Sequence, residues 1–160
     1  MKNAAIALVF RSENEVLLIK RKDLPVWVLP GGGIEENETP EEACQRELFE
    51  ETGIHGIVSR KLGYAPAINR FIAGAHLFEC TMSTDPYQPL YPQEESEEVA
   101  FYSIDRLPSP LFFLHKQWIQ EARNTPTQPI SQLSLFSCIG FLMQHPILSF
   151  RYLYKYFALN

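Results

Sequence analysis

No two cysteines in this sequence are close enough to form a C-x-x-C motif. Cys44, Cys80 and Cys138 are an odd, scattered set with no histidines at ligand spacing beside them. That excludes a disulfide framework or zinc site and leaves reduced core thiols of a cytoplasmic protein. A long basic stripe is also missing, the best run being Lys20-Arg21-Lys22, so a nucleic-acid polymer is not an expected partner. No Asp-rich loop with alternating oxygen ligands is present, which disfavours a calcium buffer. From Thr125 to Phe150 there is no Asp, Glu, Lys or Arg, yet Pro129, His145, Pro146 and several Ser and Gln interrupt the stretch. A membrane span is therefore disfavoured, with a surface-bound amphipathic helix as a second option. At the start, MKNAAIALVFRSENE has only seven apolar residues in a row before Arg11, which reads as a first strand and not as a signal peptide.

Acid is plentiful but local. With 46% apolar and 21% charged residues in 160, the chain has the composition of one folded domain. The formal net charge is -5, and eight of the 19 acids lie between Gly32 and Ile54, where Arg46 is the one basic residue. Four more are Glu94, Glu95, Glu97 and Glu98, and without these two clusters the chain would be net basic.

Residues 4–10 and 16–20 are aliphatic runs around a polar turn, a hairpin signal, and 26–29 is a third extended segment closed by Pro30 and three glycines. Thr39-Pro40-Glu41-Glu42 supplies an N-cap, a proline at the first helical position and a capping-box glutamate, and Gly53 is a C-terminal stop. A helix over Pro40 to Thr52 follows. Residues 55–64, 71–82 and 97–104 read as strands, and 110–124, with apolar residues at 111, 114, 118 and 119, as a second amphipathic helix. This order predicts an α/β sandwich with a mixed sheet.

On the first helix, Glu47, Glu50 and Glu51 are three and four residues apart and share one face. A solvated acidic face is the ordinary reading of such a helix. Here the face has no lysine partners, and Glu50 and Glu51 stand in the last turn, where the helix dipole disfavours negative charge by a few tenths to about 1 kcal/mol each. A positive ligand at that face resolves the conflict, and Mg2+ or Mn2+ suits carboxylate oxygens. Gly31-Gly32-Gly33 lets the backbone approach a metal or phosphate closely.

Gly32, five residues, Glu38, seven residues, then Arg46-Glu47-Leu48-Phe49-Glu50-Glu51-Thr52-Gly53-Ile54 resembles the Nudix box at each of its specified positions. The resemblance extends more loosely to VWVLPGG before it and EEVAFYSIDRLP after it, covering roughly residues 1 to 124. It implies a Nudix-type α/β/α sandwich with a mixed β-sheet. It also implies metal-dependent cleavage, by water attack on phosphorus, of a diphosphate linking a nucleoside diphosphate to another group. By position in the box, Glu47 and Glu51 would be the principal metal ligands, Glu50 a further ligand or the base, and Gly32 a carbonyl ligand. Arg46 reads as an orienter paired with a carboxylate such as Glu38. For the general base, Glu50 and the later pair Glu97 and Glu98 stand level.

Lys20, Arg21 or Lys22 at the end of the second strand, and the backbone of Gly33, are candidates to hold a substrate phosphate, with a solvated strand end as the alternative for the three cations. Trp27 is either a nucleobase platform or core. A nucleoside triphosphate or nucleotide sugar is the expected substrate, and a nucleotide-binding regulatory domain without turnover is the alternative. Residues 125–160 are expected to form a helical C-terminal extension, with helices near 130–144 and 147–158 covering the domain or a partner subunit in a homodimer.

Overall fold

The computed structural model describes residues 2–67, 73–83, 85, 90–124 and 146. The expected C-terminal extension lies outside the described residues, apart from residue 146.

Strand β1 (Ala4–Ser12) is the central element, running parallel to β6 (Ala75–Met82) and antiparallel to β2 (Glu15–Arg21) and β4 (Gly31–Gly33). Strand β5 (Gly56–Ala65) pairs antiparallel with β6, while β3 (Trp27–Val28) and β7 (Ser96–Ser103) both pair antiparallel with β2. The sheet is mixed, as the alternation of strand and helix predicts. Helix α1 (Pro40–Thr52) lies on one face and α2 (Phe113–Asn124) on the other.

Both faces of β1 are buried, which is why its sequence is continuously apolar. Its small residues Ala5 and Ala7, with Val9, pack under Ala43, Cys44 and Leu48 of α1. Its larger residues Ile6 and Leu8 pack with Leu114, Trp118 and Ile119 of α2. The small side chains let α1 approach the sheet closely, and this brings its acidic edge over β4. Cys44 and Cys80 are buried free thiols with sulfurs 3.6 Å apart; the contact with Cys80 first, and then burial, push the Cys44 thiol far up.

Helix α1 has the bounds and caps the sequence predicts. The Thr39 hydroxyl accepts from the Glu42 N–H at 3.2 Å while the Glu42 carboxylate accepts from the Thr39 N–H at 2.8 Å. Gly53, at φ 71°, ends the helix with its N–H on the Phe49 carbonyl.

Three expectations are corrected. The glycines read as a loop form strand β4, because the edge of β1 offers backbone partners from Ala4 to Ile6. Gly31 has φ +148°, and a Cβ there would strike the carbonyl oxygen of Ala5, so no other residue fits. The second helix begins at Phe113 and not at residue 110, since Leu111 bridges to Trp27 and the Phe112 N–H is held by the Trp27 carbonyl. The strand read from residue 71 begins at Ala75. Among the described residues no helix is long and apolar enough to cross a membrane.

Candidate active site

Helix α1 and strand β4 form the site together. The Glu51 carboxylate turns inward, 5% exposed, and accepts from the Gly31 N–H at 2.8 Å. Burial pushes its pKa up to about 8; the Gly31 N–H and the charge of Arg21 work against this, and the negative charges of Glu47 and Glu95 add to it. The Glu47 carboxyl is raised too, by burial first, with Arg46 opposing. Burial keeps both carboxyls raised even with Arg46 on Glu47 and the charge of Arg21 acting on Glu51, so the two acids side by side favour further positive charge. A divalent cation would supply it.

Glycine at position 32 makes room for Glu47. A Cβ on Gly32 would fall 2.5 Å from the carboxylate carbon and from each oxygen of Glu47. Gly32→Ala is therefore expected to displace that carboxylate and reduce turnover about 10-fold or more, with much less effect on stability because Glu47 can swing aside. Paired kinetics and thermal melts check this.

Arg46 organises the remaining acids. Its guanidinium donates to both oxygens of Glu38 at 2.7 and 2.9 Å, to Glu47 and Glu50 at 2.9 Å each, and to the Gly33 carbonyl at 3.1 Å. Arg46 thus joins the loop before α1, the helix and β4. The Glu38 carboxyl is held down to about 2, first by Arg46 and then by the Glu35 N–H. The Gly33 carbonyl, in the backbone read as a phosphate contact, is turned to Arg46. Glu50 stays more open, its side chain 56% exposed.

The later acids divide between two neighbours. Lys20 pairs with Glu98 and Arg21 with Ser96 across β2 and β7, so Glu97 is the extra residue of a bulge. The bulge turns both Glu97 and Glu98 to Lys20, whose ammonium is 3.5 and 2.7 Å from them. The acid whose charge acts on Glu47 and Glu51 is Glu95. Ser96, fully buried, donates its hydroxyl to the Glu51 carbonyl at 2.9 Å, which brings Glu95 to the end of α1. The acidic run 94–98 was a visible signal, but only the bulge decides which of its members reaches the helix.

Among the basic candidates, Arg21 is half-buried, paired with Asp23 at 2.8 Å, and within electrostatic range of Glu51 and Glu95. Lys22 donates to the Gln93 and Glu94 carbonyls at 3.3 and 2.6 Å. Trp27 is a core residue, 6% exposed, with Tyr102 edge-on at 4.9 Å, so its ring is no open platform. The sequence reading also passed over His115. Buried on α2, it accepts from the Leu29 N–H at 2.7 Å and fixes the strand entering Pro30 and Gly31. Burial, with Arg21 adding to it, lowers its pKa to about 3, so it stays neutral.

Among the described residues, no three carboxylate, imidazole or thiol groups already converge at ligand distance. One oxygen of Glu47 is on Arg46 and one of Glu51 is on Gly31. Their second oxygens accept no hydrogen bond among the described residues. As a donor set, carboxylates beside a glycine carbonyl are hard oxygen ligands and fit Mg2+ or Mn2+.

Residues 1–122 match the NUDIX domain family. A putative 8-oxo-dGTP diphosphatase of Bacillus subtilis (strain 168) is 33% identical over 120 residues, 75% of this chain and 78% of that protein. Human diphosphoinositol polyphosphate phosphohydrolase 2 is 46% identical over 65 residues, 39% of this chain and 36% of that protein. The match with the latter thus spans little more than a third of its length. The NUDIX domain of Shewanella oneidensis NrtR, solved in complex with ADP ribose, aligns with TM-score 0.65 and 28% identity over 79% of this chain and 89% of that one.

Proposed function

The chain belongs to the Nudix hydrolase family, and from that premise we propose that it hydrolyses the diphosphate linkage of a nucleoside triphosphate or nucleotide sugar, using Mg2+ or Mn2+. The observation that supports this best is the pair Glu47 and Glu51, both raised by burial although Arg46 and Arg21 act against it, beside a glycine strand.

Glu47 and Glu51, with the Gly32 carbonyl, are the residues that would hold the metal. Bound there, a divalent ion would neutralise diphosphate charge and make a bound water more acidic. Arg46 keeps Glu47 and Glu50 together on one side of α1, and Arg21, paired with Asp23 and within electrostatic range of Glu51 and Glu95, is the candidate cation for a substrate phosphate. Glu95, entering from the facing loop, takes the proton of the attacking water. Glu97 and Glu98 are set aside for this role because Lys20 holds both. Glu50 ranks behind Glu95 for this role because one of its oxygens is on Arg46 and its side chain is 56% exposed to solvent.

Charge also bears on the substrate. Lys20, Lys22 and Arg46 each already serve two or more acceptors, and Arg21 is on Asp23. An inositol polyphosphate, needing many unengaged cations, suits this surface poorly. A nucleotide, with fewer charges and metal to neutralise them, suits it well. The alignment with the Bacillus subtilis relative over most of its length points the same way.

The test is a Mg2+-dependent hydrolysis screen of nucleoside triphosphates, 8-oxo-dGTP, ADP-ribose, nucleotide sugars and a diphosphoinositol polyphosphate, with Glu51→Gln as control. Cleavage of one nucleotide class by the wild type alone is expected. If nothing is cleaved while a nucleotide still raises Tm, the domain binds without turnover and the proposal is wrong.

A further inference from the structure

The segment before β7 is built as a tight platform. The Ser96 N–H returns to the Gln93 carbonyl at 3.3 Å, closing a turn with Glu94 and Glu95 at its corner. The Ser96 hydroxyl accepts from the Gln93 N–H at 2.9 Å and donates to the Glu51 carbonyl at 2.9 Å. That carbonyl is one of the four that end α1 without a partner inside the helix. From the other side, the exposed Lys22 places its ammonium on the Gln93 and Glu94 carbonyls, and its N–H donates to the Glu95 carbonyl at 3.3 Å. The turn is therefore fastened at one side to the catalytic helix and at the other to the end of β2.

Such fastening is unusual for an exposed loop of acids, since Glu94 and Glu95 repel each other and the acidic end of α1. Two devices oppose that repulsion. Lys22 places its charge on backbone carbonyls, so the turn is fixed through its backbone and the Glu95 carboxylate is not the group that Lys22 holds. Ser96 sets the distance between the turn and Glu51 through a single hydroxyl with no exposed surface. A positioned base gives its advantage only when it is held within a fraction of an ångström of the reacting atom.

We propose that Lys22 and Ser96 are positioning residues that clamp the Gln93–Ser96 turn onto the end of α1 and hold Glu95 in place for proton transfer. This rests on the reading of Glu95 given above. Neither residue touches substrate. Lys22 touches only the turn, so its removal lowers kcat and leaves KM and metal affinity in place.

Lys22→Met is the primary variant, because an exposed lysine can be replaced without endangering the fold, whereas Ser96→Ala leaves a helix carbonyl and the Gln93 N–H without their partner. In the full chain with Mn2+ and the best substrate of the screen, Lys22→Met is expected to lower kcat about 10-fold, with KM, Tm and Mn2+ Kd within twofold of wild type. Lys22→Arg, which can still donate to both carbonyls, is expected to restore most of it. In a Glu95→Gln background, itself down about 10²-fold, Lys22→Met is expected to cause no further loss, because the two changes remove the same step. An unchanged kcat in Lys22→Met, or a full additional loss on top of Glu95→Gln, overturns the clamp while leaving Glu95 as base. Near-normal turnover in Glu95→Gln overturns the role of Glu95, and the clamp with it.

Discussion

Glu51→Gln is expected to lower metal-dependent turnover by about 10³-fold or more, since it removes a ligand and its charge together, and at the same time to raise the Tm of the metal-free protein at pH 8. The second half follows from linkage. The Glu51 carboxyl is raised from its ordinary value near 4.5 to about 8, by burial first. Between those values the folded protein holds a proton that the unfolded chain has released. The stabilisation from this group is thus full below about pH 4.5 and is lost as pH rises through about 8. One unit of pKa is about 1.4 kcal/mol, so the ionised Glu51 costs the metal-free fold at least about 2 kcal/mol at high pH, or about 5 °C in a chain of this size. Glutamine keeps the oxygen that accepts the Gly31 N–H and removes the charge. Melts of both proteins at pH 5 and pH 8, with and without Mn2+, separate the effects. Mn2+ should raise the Tm of the wild type and leave that of the variant nearly unchanged. A variant less stable than wild type at pH 8 without metal contradicts this account of Glu51.

Arg46→Ala is expected to act in the opposite sense on the fold. It leaves Glu38, Glu47 and Glu50 without their shared cation and frees the Gly33 carbonyl, so the metal-free protein should melt several degrees lower. On the proposed reading Arg46 aims Glu47 at the metal instead of serving as a ligand, so metal affinity should fall about 10- to 100-fold. Saturating Mn2+ should recover part of kcat, which it cannot do for Glu51→Gln. Arg46→Lys should resemble the alanine variant, since a single ammonium cannot span acceptors on the loop, the helix and β4 at once. Mn2+ binding isotherms for the three proteins check this. Affinity equal to wild type in Arg46→Ala would remove Arg46 from the site.

What the sequence makes legible and what it hides divide along physical lines. Helix α1 is readable to the residue because its signals are local: Thr39, Pro40 and Glu42 at one end and Gly53 at the other. Its three glutamates need only helical spacing to be placed on one face. The parts that escape are set by register and by distant partners. Three glycines carry no periodic pattern, so β4 is invisible until β1 stands beside it. The start of α2 is delayed by a bridge from Leu111 to Trp27, 84 residues away in sequence. Glu95 and its neighbours Glu97 and Glu98 are alike in composition, and a single bulged position sends the pair to Lys20 and leaves Glu95 beside α1. His115 gives no sequence signal, since its task is one hydrogen bond to the backbone of Leu29.

The account stands most directly on one titration: Mn2+ added to the metal-free full chain, with binding followed by electron paramagnetic resonance and hydrolysis of the nucleotide substrate followed in parallel. The prediction is no turnover in chelator, and turnover that rises with occupancy so that half-saturation of the two curves coincides. Full turnover in chelator, or bound Mn2+ that leaves turnover unchanged, would contradict the assignment of Glu47 and Glu51 as the residues that hold the metal for hydrolysis.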